Sequence, residues 1–399
     1  MGPNPSFRLI GRCRGCHAGM DLMVPCFEMD PMPLAGQFCS TAEEAIEAER
    51  LPLSWMLCQS CGLVQVTQDV DEAILFRRYN YASSTVSGLV DHFKAYAGLL
   101  TRNYDQSHLR FLEIGCNDGV LLRRLPATWL RQGVDPSDVA CRSHQASQGG
   151  YELVSDLFDV QLVESMRWQG QWDVISGSNC LAHISDLHQV FTAVRLALKE
   201  GGEFWVEVHD LEALLCGSQW DTIYHEHKAE WSLDSLTHCL GLLGFECVFH
   251  ESIPMHGGAL RCCFRKTSQP RLSRTEPDLQ TLKAKLKSLA EAYRARYEHP
   301  VVRDLMKRRA AGQSLVAYGA AGRANVFLNQ TPELAFDWII DESMLRQGRY
   351  LPHIATPIVA KDRLNLDQPD HCLITAWNYA RDIRLKNPGY LGQWWTAFG

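Results

Sequence analysis

The 399-residue sequence predicts an α/β chain in three parts, and three observations lead there. Two stretches run from an apolar strand through a glycine-rich turn into an amphipathic helix: FLEIGCNDGVLLRRL from Phe111 and SLVAYGAAGRANVFLNQ from Ser314. Units of that kind assemble into parallel sheets with helices on their faces. The third observation is a pair of C-x-x-C knuckles, Cys13–Cys16 and Cys58–Cys61, that precede both units. The expected parts are a small domain over 1–72, an α/β domain over 73–270 and a further α/β domain over 271–399.

Composition narrows the function classes. Lys+Arg total 39 against 46 Asp+Glu, a net charge of -7, and no long basic run appears. Nucleic acid is therefore not an expected partner, nor is an anionic membrane surface. The longest apolar stretches are strand-sized, short of the roughly 20 residues a spanning helix needs. The opening MGPNPSFRLIGRC lacks a cationic-then-apolar signal pattern, and although Gly2 and Ser6 fit a myristoylation motif, Pro3 argues against it. Fifteen scattered cysteines, an odd number, point to a reducing cytoplasm rather than to a disulfide framework.

The knuckles account for four of those cysteines. Each C-x-x-C turn aims two thiolates at one centre, and two turns complete a tetrahedral Zn²⁺ shell from Cys13, Cys16, Cys58 and Cys61. The segment between them is longer than in a compact zinc ribbon. A redox pair would need a surrounding βαβ pattern, which neither knuckle has. A closed four-thiolate shell leaves no position for water, so this zinc is expected to hold structure. Cys26 and Cys39, between the knuckles, are read as core or surface residues.

In the central unit, a dinucleotide fingerprint starting at Gly115 would require glycine at 117 and 120, where the chain has Asn117 and Val120. The pattern Glu113-x-Gly115-x-Asn117-x-Gly119 instead resembles motif I of the class I S-adenosylmethionine methyltransferases. The following elements keep the order of that family: GVDPS with Asp135, YELVSDLFD with Asp156, and WDVISGSNCLAHISDL with Asn179 and His183. The resemblance implies a Rossmann-like domain that binds S-adenosylmethionine through Glu113, Gly115, Asn117, Asp118 and Gly119. Asp135 then meets the ribose hydroxyls, Asp156 the adenine, and Asn179 and His183 the pocket floor.

Beyond the strand EFWVEVHDLEALL lies YHEHKAEWS, from Tyr224 to Ser232. Two histidines, a glutamate and a tyrosine in four positions suit a metal site, a general-base cluster or a polar loop. The zinc-protease spacing H-E-x-x-H is absent, and no further ligand is obvious nearby. The segment's place after a sheet strand favours a functional reading, because open α/β sheets bind ligands at their carboxyl ends.

YHEH, then WS, a helix, GF and PMHGGALR together resemble the sugar C-methyltransferases of bacterial deoxysugar and antibiotic pathways, which act on nucleotide-linked 4-keto sugars. The likeness extends to the thiol pairs, to FRRYNYASS at 76–84 and to the C-terminal third, nearly the whole chain. It implies that His227 is the general base and that Tyr224 and Glu226 are active-site residues. A neutral imidazole suits removal of a proton beside a ketone, since its pKa lies near working pH. Either Tyr224 or His225 is expected to stabilise the enolate oxygen, and Glu226 to orient a histidine.

Residues 271–312 are rich in Lys, Arg, Glu and Leu with helical period, and are expected to form a solvated helix pair. In the second unit a phosphate is expected against Gly319–Gly322, with Arg323 adding a bidentate charge. The family carries lysine then glycine where this chain has Arg323-Ala324, which puts the identity of the substrate in question. Asn325, Tyr350, Trp377 and Asn378 are further candidate substrate contacts, with strand-end packing the alternative for the last two. Tyr79 and Tyr81 share one side of an extended segment, as an aromatic pair or as a cover over the site. The expected reaction is C-methylation alpha to a carbonyl, at C-3 of a nucleoside-diphosphate 4-keto-6-deoxysugar, by a monomer or homodimer. The alternatives are methylation of another acidic carbon or an oxygen, and a cofactor-binding partner without catalysis, which would have no need of the His227 cluster.

Overall fold

The computed structural model describes residues 7–71, 75, 82–85, 87–105, 107–146, 150–268 and 277–398. Tyr79 and Tyr81 lie outside the described residues, as do Gly2 and Ser6.

The centre of the molecule is a seven-stranded sheet made of β6 (Arg110–Ile114), β7 (Leu130–Val134), β8 (Glu152–Val154), β9 (Trp172–Ser178), β10 (Leu198–His209), β12 (Phe245–Ile253) and β13 (Ala259–Lys266), in the order β12-β13-β10-β9-β6-β7-β8. β8, β7, β6, β9 and β10 run parallel, and β13 is antiparallel to both its neighbours. Parallel strands are covered on both faces, and β6 and β9 are buried along most of their length. Successive residues point to opposite cores. Phe111 and Val174 pack with Tyr96, Trp129 and Trp205, whereas Leu112 and Ile175 pack with Phe191 and Phe204. The chain winds outward from β6 through β7 and β8, then returns to β9 on the other side. The crevice between the ends of β6 and β9 is thus the switch point where such sheets bind ligands.

The N-terminal sheet is built from β2 (Met23–Met32), β3 (Leu51–Cys58) and β4 (Val64–Val66), and its fourth strand is β11 (Ala229–Glu230), lent by the segment YHEHKAEWS. Ala229 pairs with Gln65 and Glu230 with Val64. The helix that follows begins with a capping box, Ser232 Oγ accepting from Ser235 N–H. The catalytic candidates therefore sit on a short turn whose C-terminal side is anchored by a paired strand and then a capped helix.

The C-terminal sheet is entirely parallel: β16 (Ile358–Val359), β15 (Ile339–Ile340), β14 (Leu315–Tyr318), β17 (His371–Ile374) and β18 (Gln393–Trp395), in that spatial order. Its switch point falls between β14 and β17. Helices Leu279–Arg294 and Pro300–Ala310 are not the solvated pair their charge suggests. Leu286, Leu289, Tyr293, Val302 and Leu305 form a buried stripe at helical spacing. That stripe shares a core with Phe27, Met29 and Trp55 of the N-terminal sheet and with Val326 and Leu328 of the helix Gly322–Gln330. The long polar side chains that dominate the composition lie on the opposite face.

Candidate functional site

A single cavity of about 1500 Å³ lies between the carboxyl ends of the central and C-terminal sheets. One end is walled by Glu113, Gly115, Asn117, Asp135, Asp156, Asn179 and His183, seven of the nine residues the methyltransferase resemblance singles out. Gly115 has φ of 66°, and a Cβ there would come within 2.6 Å of Cys180 Cβ, so only glycine lets the β6 turn approach the β9 turn this closely. Asp135 accepts from the backbone N–H groups of Asn117 and Ser137, each at 2.8 Å, one on each oxygen, which leaves both oxygens acceptor capacity. Glu113 is buried with one oxygen unpartnered, and burial, reinforced by Asp135 and Asp118, pushes its carboxyl well above the usual range. A cationic ligand group relieves such a carboxyl, and two ribose hydroxyls suit Asp135, so these residues fit S-adenosylmethionine. Asp118 and Gly119 are not cavity-wall residues. Asp118 accepts from Ser84 N–H at 2.9 Å, and Gly119 packs against the Tyr151 ring.

At the other end stand Tyr224, Glu226 and His227 with His209 and His256, and His183 lies between the two ends, its ring 5.2 Å from that of His227. His227 Nδ1 is 3.0 Å from the Thr222 carbonyl oxygen, which can only accept, so Nδ1 carries the proton and Nε2 is the basic atom. The Tyr224 hydroxyl donates to Nε2 at 2.6 Å. Burial, with Arg323 nearby, lowers His227 to about 3, so the ring is neutral at working pH. His183 donates from Nδ1 to the Glu226 carbonyl at 2.7 Å and is likewise lowered to about 3, mainly by burial. Glu226 thus orients a histidine through its backbone, while its carboxylate accepts from Gly36 N–H at 2.8 Å.

The structure separates other candidates from this site. His225 is fully buried, with Nε2 3.0 Å from the Pro52 carbonyl, and is not among the cavity residues. YHEH forms a turn, closed by His227 N–H donating to the Tyr224 carbonyl at 3.0 Å, and its second residue faces the N-terminal domain, so His225 is no partner for an enolate and of the two expected donors Tyr224 remains. Asn325 is fully buried and donates to the Ala35 carbonyl at 2.8 Å. Tyr350 forms backbone bridges to Cys39 and Pro357, and Trp377 donates from Nε1 to Asp221 at 2.9 Å, beneath Gly257. None of the three lines the cavity, whereas Asn378 and Arg323 do. Only part of the Arg323 guanidinium is spent within the protein, since Nη1 has no hydrogen-bond partner among the described residues. Its Nη2 donates to His209 Nε2 at 3.1 Å and to the His256 carbonyl, and its guanidinium lies 5.0 Å from the centre of the Trp377 ring. Gly322, one residue earlier, packs on Tyr224, where a Cβ would come within 2.9 Å of the ring and hydroxyl.

Three residues here have no role in the sequence reading, although His256 falls within PMHGGALR and Glu230 within YHEHKAEWS. His209 ends β10, His256 sits in the β12–β13 turn at φ of 52°, and Glu230 belongs to the two-residue β11. His209, His227 and Glu230 converge closely enough to raise a metal site again. The donor set does not fit one. His227 Nδ1 and His209 Nδ1 lie 3.7 and 4.0 Å from the Glu230 oxygens, whereas ligands around one tetrahedral Zn²⁺ stand about 3.3 Å apart. His227 Nδ1 is also engaged by Thr222, and the Arg323 guanidinium opposes a second cation.

The cysteine cluster does fit. Cys13 and Cys61 sulfurs are 3.7 Å apart and Cys16 and Cys58 sulfurs 3.6 Å. Zn–S bonds of about 2.3 Å place tetrahedral sulfurs about 3.8 Å apart. Gln65 Nε2 donates to Cys13 Sγ at 3.3 Å, an outer contact of the kind that steadies a thiolate ligand.

Comparison with known proteins covers all three parts. A family model described as the C-methyltransferase C-terminal domain matches residues 254–398, one for a methyltransferase domain matches 89–250, and one for a zinc binding domain matches 13–76. The C-methyltransferase NovU of Streptomyces niveus is 27% identical over 393 residues, spanning 94% of this chain and 92% of that protein. Among solved structures, the PH0226 protein of Pyrococcus horikoshii OT3 is 17% identical and covers 49% of this chain and 98% of its own, with a TM-score of 0.39. Magnesium protoporphyrin IX methyltransferase from Synechocystis PCC 6803, with bound SAH, is 14% identical and covers 45% and 84%, with a TM-score of 0.38.

Proposed function

We propose that this chain, an S-adenosylmethionine-dependent C-methyltransferase with an N-terminal zinc-binding domain, takes a proton from the carbon beside a ketone and methylates the resulting enolate. The substrate we favour is a nucleotide-linked 4-keto-6-deoxysugar, methylated at C-3, in natural-product biosynthesis. The parts are taken as 1–72, 73–270 and 271–399. Fifteen cysteines, none in a disulfide, fit a cytoplasmic setting, and among the described residues no helix is long and apolar enough to cross a membrane. A monomer or homodimer suffices, since every residue invoked comes from one chain.

The observation that carries the reading is the placement of His227 on the cavity, with Nδ1 tied to the Thr222 carbonyl and Nε2 left as the acceptor. When bound, S-adenosylmethionine supplies an electrophilic methyl group. Glu113, Asn117 and Asp135 hold that cofactor at one end, and His227 Nε2 receives the substrate proton at the other. Positioned bases of this kind contribute roughly 10²–10⁴-fold in rate. Tyr224 releases Nε2 on substrate entry and donates its hydroxyl to the ketone oxygen, where negative charge develops. His183, backed by the Glu226 carbonyl, borders the same space.

The test is hydrogen exchange at the acidic carbon in heavy water, with S-adenosylhomocysteine and a nucleotide-linked 4-keto-6-deoxysugar. Exchange at C-3 is expected, and His227→Ala should slow it by about 10²–10⁴-fold. Full-rate exchange in that variant removes His227 as the base. Turnover without any exchange in the unmodified enzyme points to an oxygen nucleophile instead.

A further inference from the structure

Glu230 sits behind His227, fully buried, and neither of its carboxyl oxygens has a hydrogen-bond partner among the described residues. A buried polar group left unpaired is costly, so its presence beside the base calls for a reason. Two histidines face it: His227 Nδ1 lies 3.7 Å from Oε1 and His209 Nδ1 4.0 Å from Oε2. Their tautomers follow from their other partners. The Thr222 carbonyl only accepts, which puts a hydrogen on His227 Nδ1. The Arg323 guanidinium only donates, so His209 accepts at Nε2 and carries its own hydrogen on Nδ1. One carboxyl group therefore stands between two imidazole N–H groups, one near each oxygen.

We propose that Glu230 is a positioning residue that acts through His227, pairing with the imidazolium once Nε2 has gained a proton, while the Thr222 carbonyl holds the Nδ1–H tautomer. This rests on His227 being the base, as argued above. In the step it serves, the substrate C–H bond breaks, its electron pair stays on carbon and the proton passes to Nε2, with nothing oxidised or reduced. The logic is that of a carboxylate behind a catalytic histidine, here offsetting the charge the ring gains rather than fixing its tautomer. Arg323 makes the need acute, because an imidazolium formed beside a guanidinium is repelled unless an anion lies close.

The groups around the carboxyl are His227 on its own segment, His209 at the end of β10 and Arg323 on the helix Gly322–Gln330. His183 and His256 stand one layer further out. Burial pushes Glu230 up to about 8 while Arg323 pulls it back. A carboxyl raised in this way ionises only as pH rises through that value. If the carboxylate is the working form, kcat/KM rises through about pH 8. No inflection is expected near the usual imidazole value, because His227, His183 and His256 are each lowered to about 3.

The experiment compares Glu230→Gln with His227→Asn in the full-length, zinc-loaded enzyme. Proton exchange at the substrate carbon and kcat and KM are followed from pH 6 to 9, and the side-chain ¹⁵N spectrum of labelled histidines and the affinity for S-adenosylhomocysteine are recorded. Glu230→Gln should slow exchange and kcat by roughly 10²–10⁴-fold with KM little changed. It should also lose the rise near pH 8, while the histidine tautomer signals and cofactor-product affinity stay as they were to show a folded protein with its base in place. Exchange at the unmodified rate with the same pH profile would overturn the proposal, as would a loss that merely follows loss of cofactor-product binding. If His227→Asn is inactive while Glu230→Gln is normal, Glu230 alone is removed. If His227→Asn exchanges at full rate, the base assignment itself has failed.

Discussion

Tyr224 owes its position to an atom that is missing elsewhere. Gly322 opens the helix Gly322–Gln330 against the Tyr224 ring, and a Cβ there would fall 2.9 Å from the ring carbon and hydroxyl oxygen. Backbone and ring cannot both stay in place, and the ring is the softer of the two. Gly322→Ala should therefore displace the hydroxyl from its 2.6 Å contact with His227 Nε2. A shift of about 1 Å near a reacting atom can cost about 10²-fold in rate, so kcat should fall by that order with the melting temperature little changed. Steady-state kinetics beside a thermal melt decides it, and unaltered kcat would mean that Tyr224 has no part in the chemistry. At this scale the sequence showed the site unevenly. Tyr224, His227, Asp135 and Asn179 were legible because each belongs to a local pattern with its own chemistry. His209 and Glu230 were not, because their meaning depends on β10 and β11 arriving side by side. Asn325, Tyr350 and Trp377 looked like contacts for the converse reason. They are polar or aromatic residues at strand ends and helix starts, and only tertiary packing reveals that they turn to the Ala35 carbonyl, a backbone bridge and Asp221.

Among the elements, the joint between the N-terminal and central parts is a buried charge cluster. Asp69, in β5 (Gln68–Val70), accepts from Arg14 at 2.9 Å and from Ser185 at 2.8 Å, and Lys228 Nζ lies 3.1 Å away. Arg14 stands between two zinc ligands and Lys228 directly follows His227, so a single carboxylate ties a knuckle to the catalytic segment. Burial alone would raise Asp69, but Arg14 and Lys228 outweigh it and hold the group well below the usual carboxylate range. Asp69→Asn strands two buried cations and should cost about 3–5 kcal/mol in denaturant unfolding at pH 7. The sign with pH follows from the lowered value. The carboxylate's contribution is complete above its unfolded pKa of about 4 and is lost as acid protonates it, so the two proteins should converge in stability towards low pH. A difference under about 1 kcal/mol at pH 7 would mean that water, not Asp69, solvates the cations. The strands of both α/β units were readable from their glycine turns, because the turn residue and the strand before it are local. The two-residue β11 was not, since a strand of that length has no periodicity and exists only where β4 offers an edge.

For the molecule as a whole, that borrowed strand makes the zinc more than a local staple. Cys13, Cys58 and Cys61 share a core with Trp231, Leu236 and Cys239, the residues immediately after the catalytic connection. Gly15, inside the first knuckle, approaches Cys239 so closely that a Cβ would stand 2.8 Å from its sulfur. Without metal, four clustered thiols have nothing to hold them together, and the knuckles should open. Opening them frees β4, which leaves Ala229 and Glu230 without their ladder partners two residues from His227. Native mass measurement should find one zinc per chain, lost in Cys58→Ser. If the loss removes about 3 kcal/mol, the melting temperature falls by roughly 6–12 °C, given typical unfolding entropies for domains of 150–250 residues. Activity should fall with it even at temperatures where the central sheet remains folded, because the base and its carboxyl partner are held by the N-terminal sheet. A zinc-free variant with full kcat at low temperature would show instead that the capped helix after Ser232 fixes the catalytic segment unaided, and that the N-terminal domain serves some purpose other than bracing it.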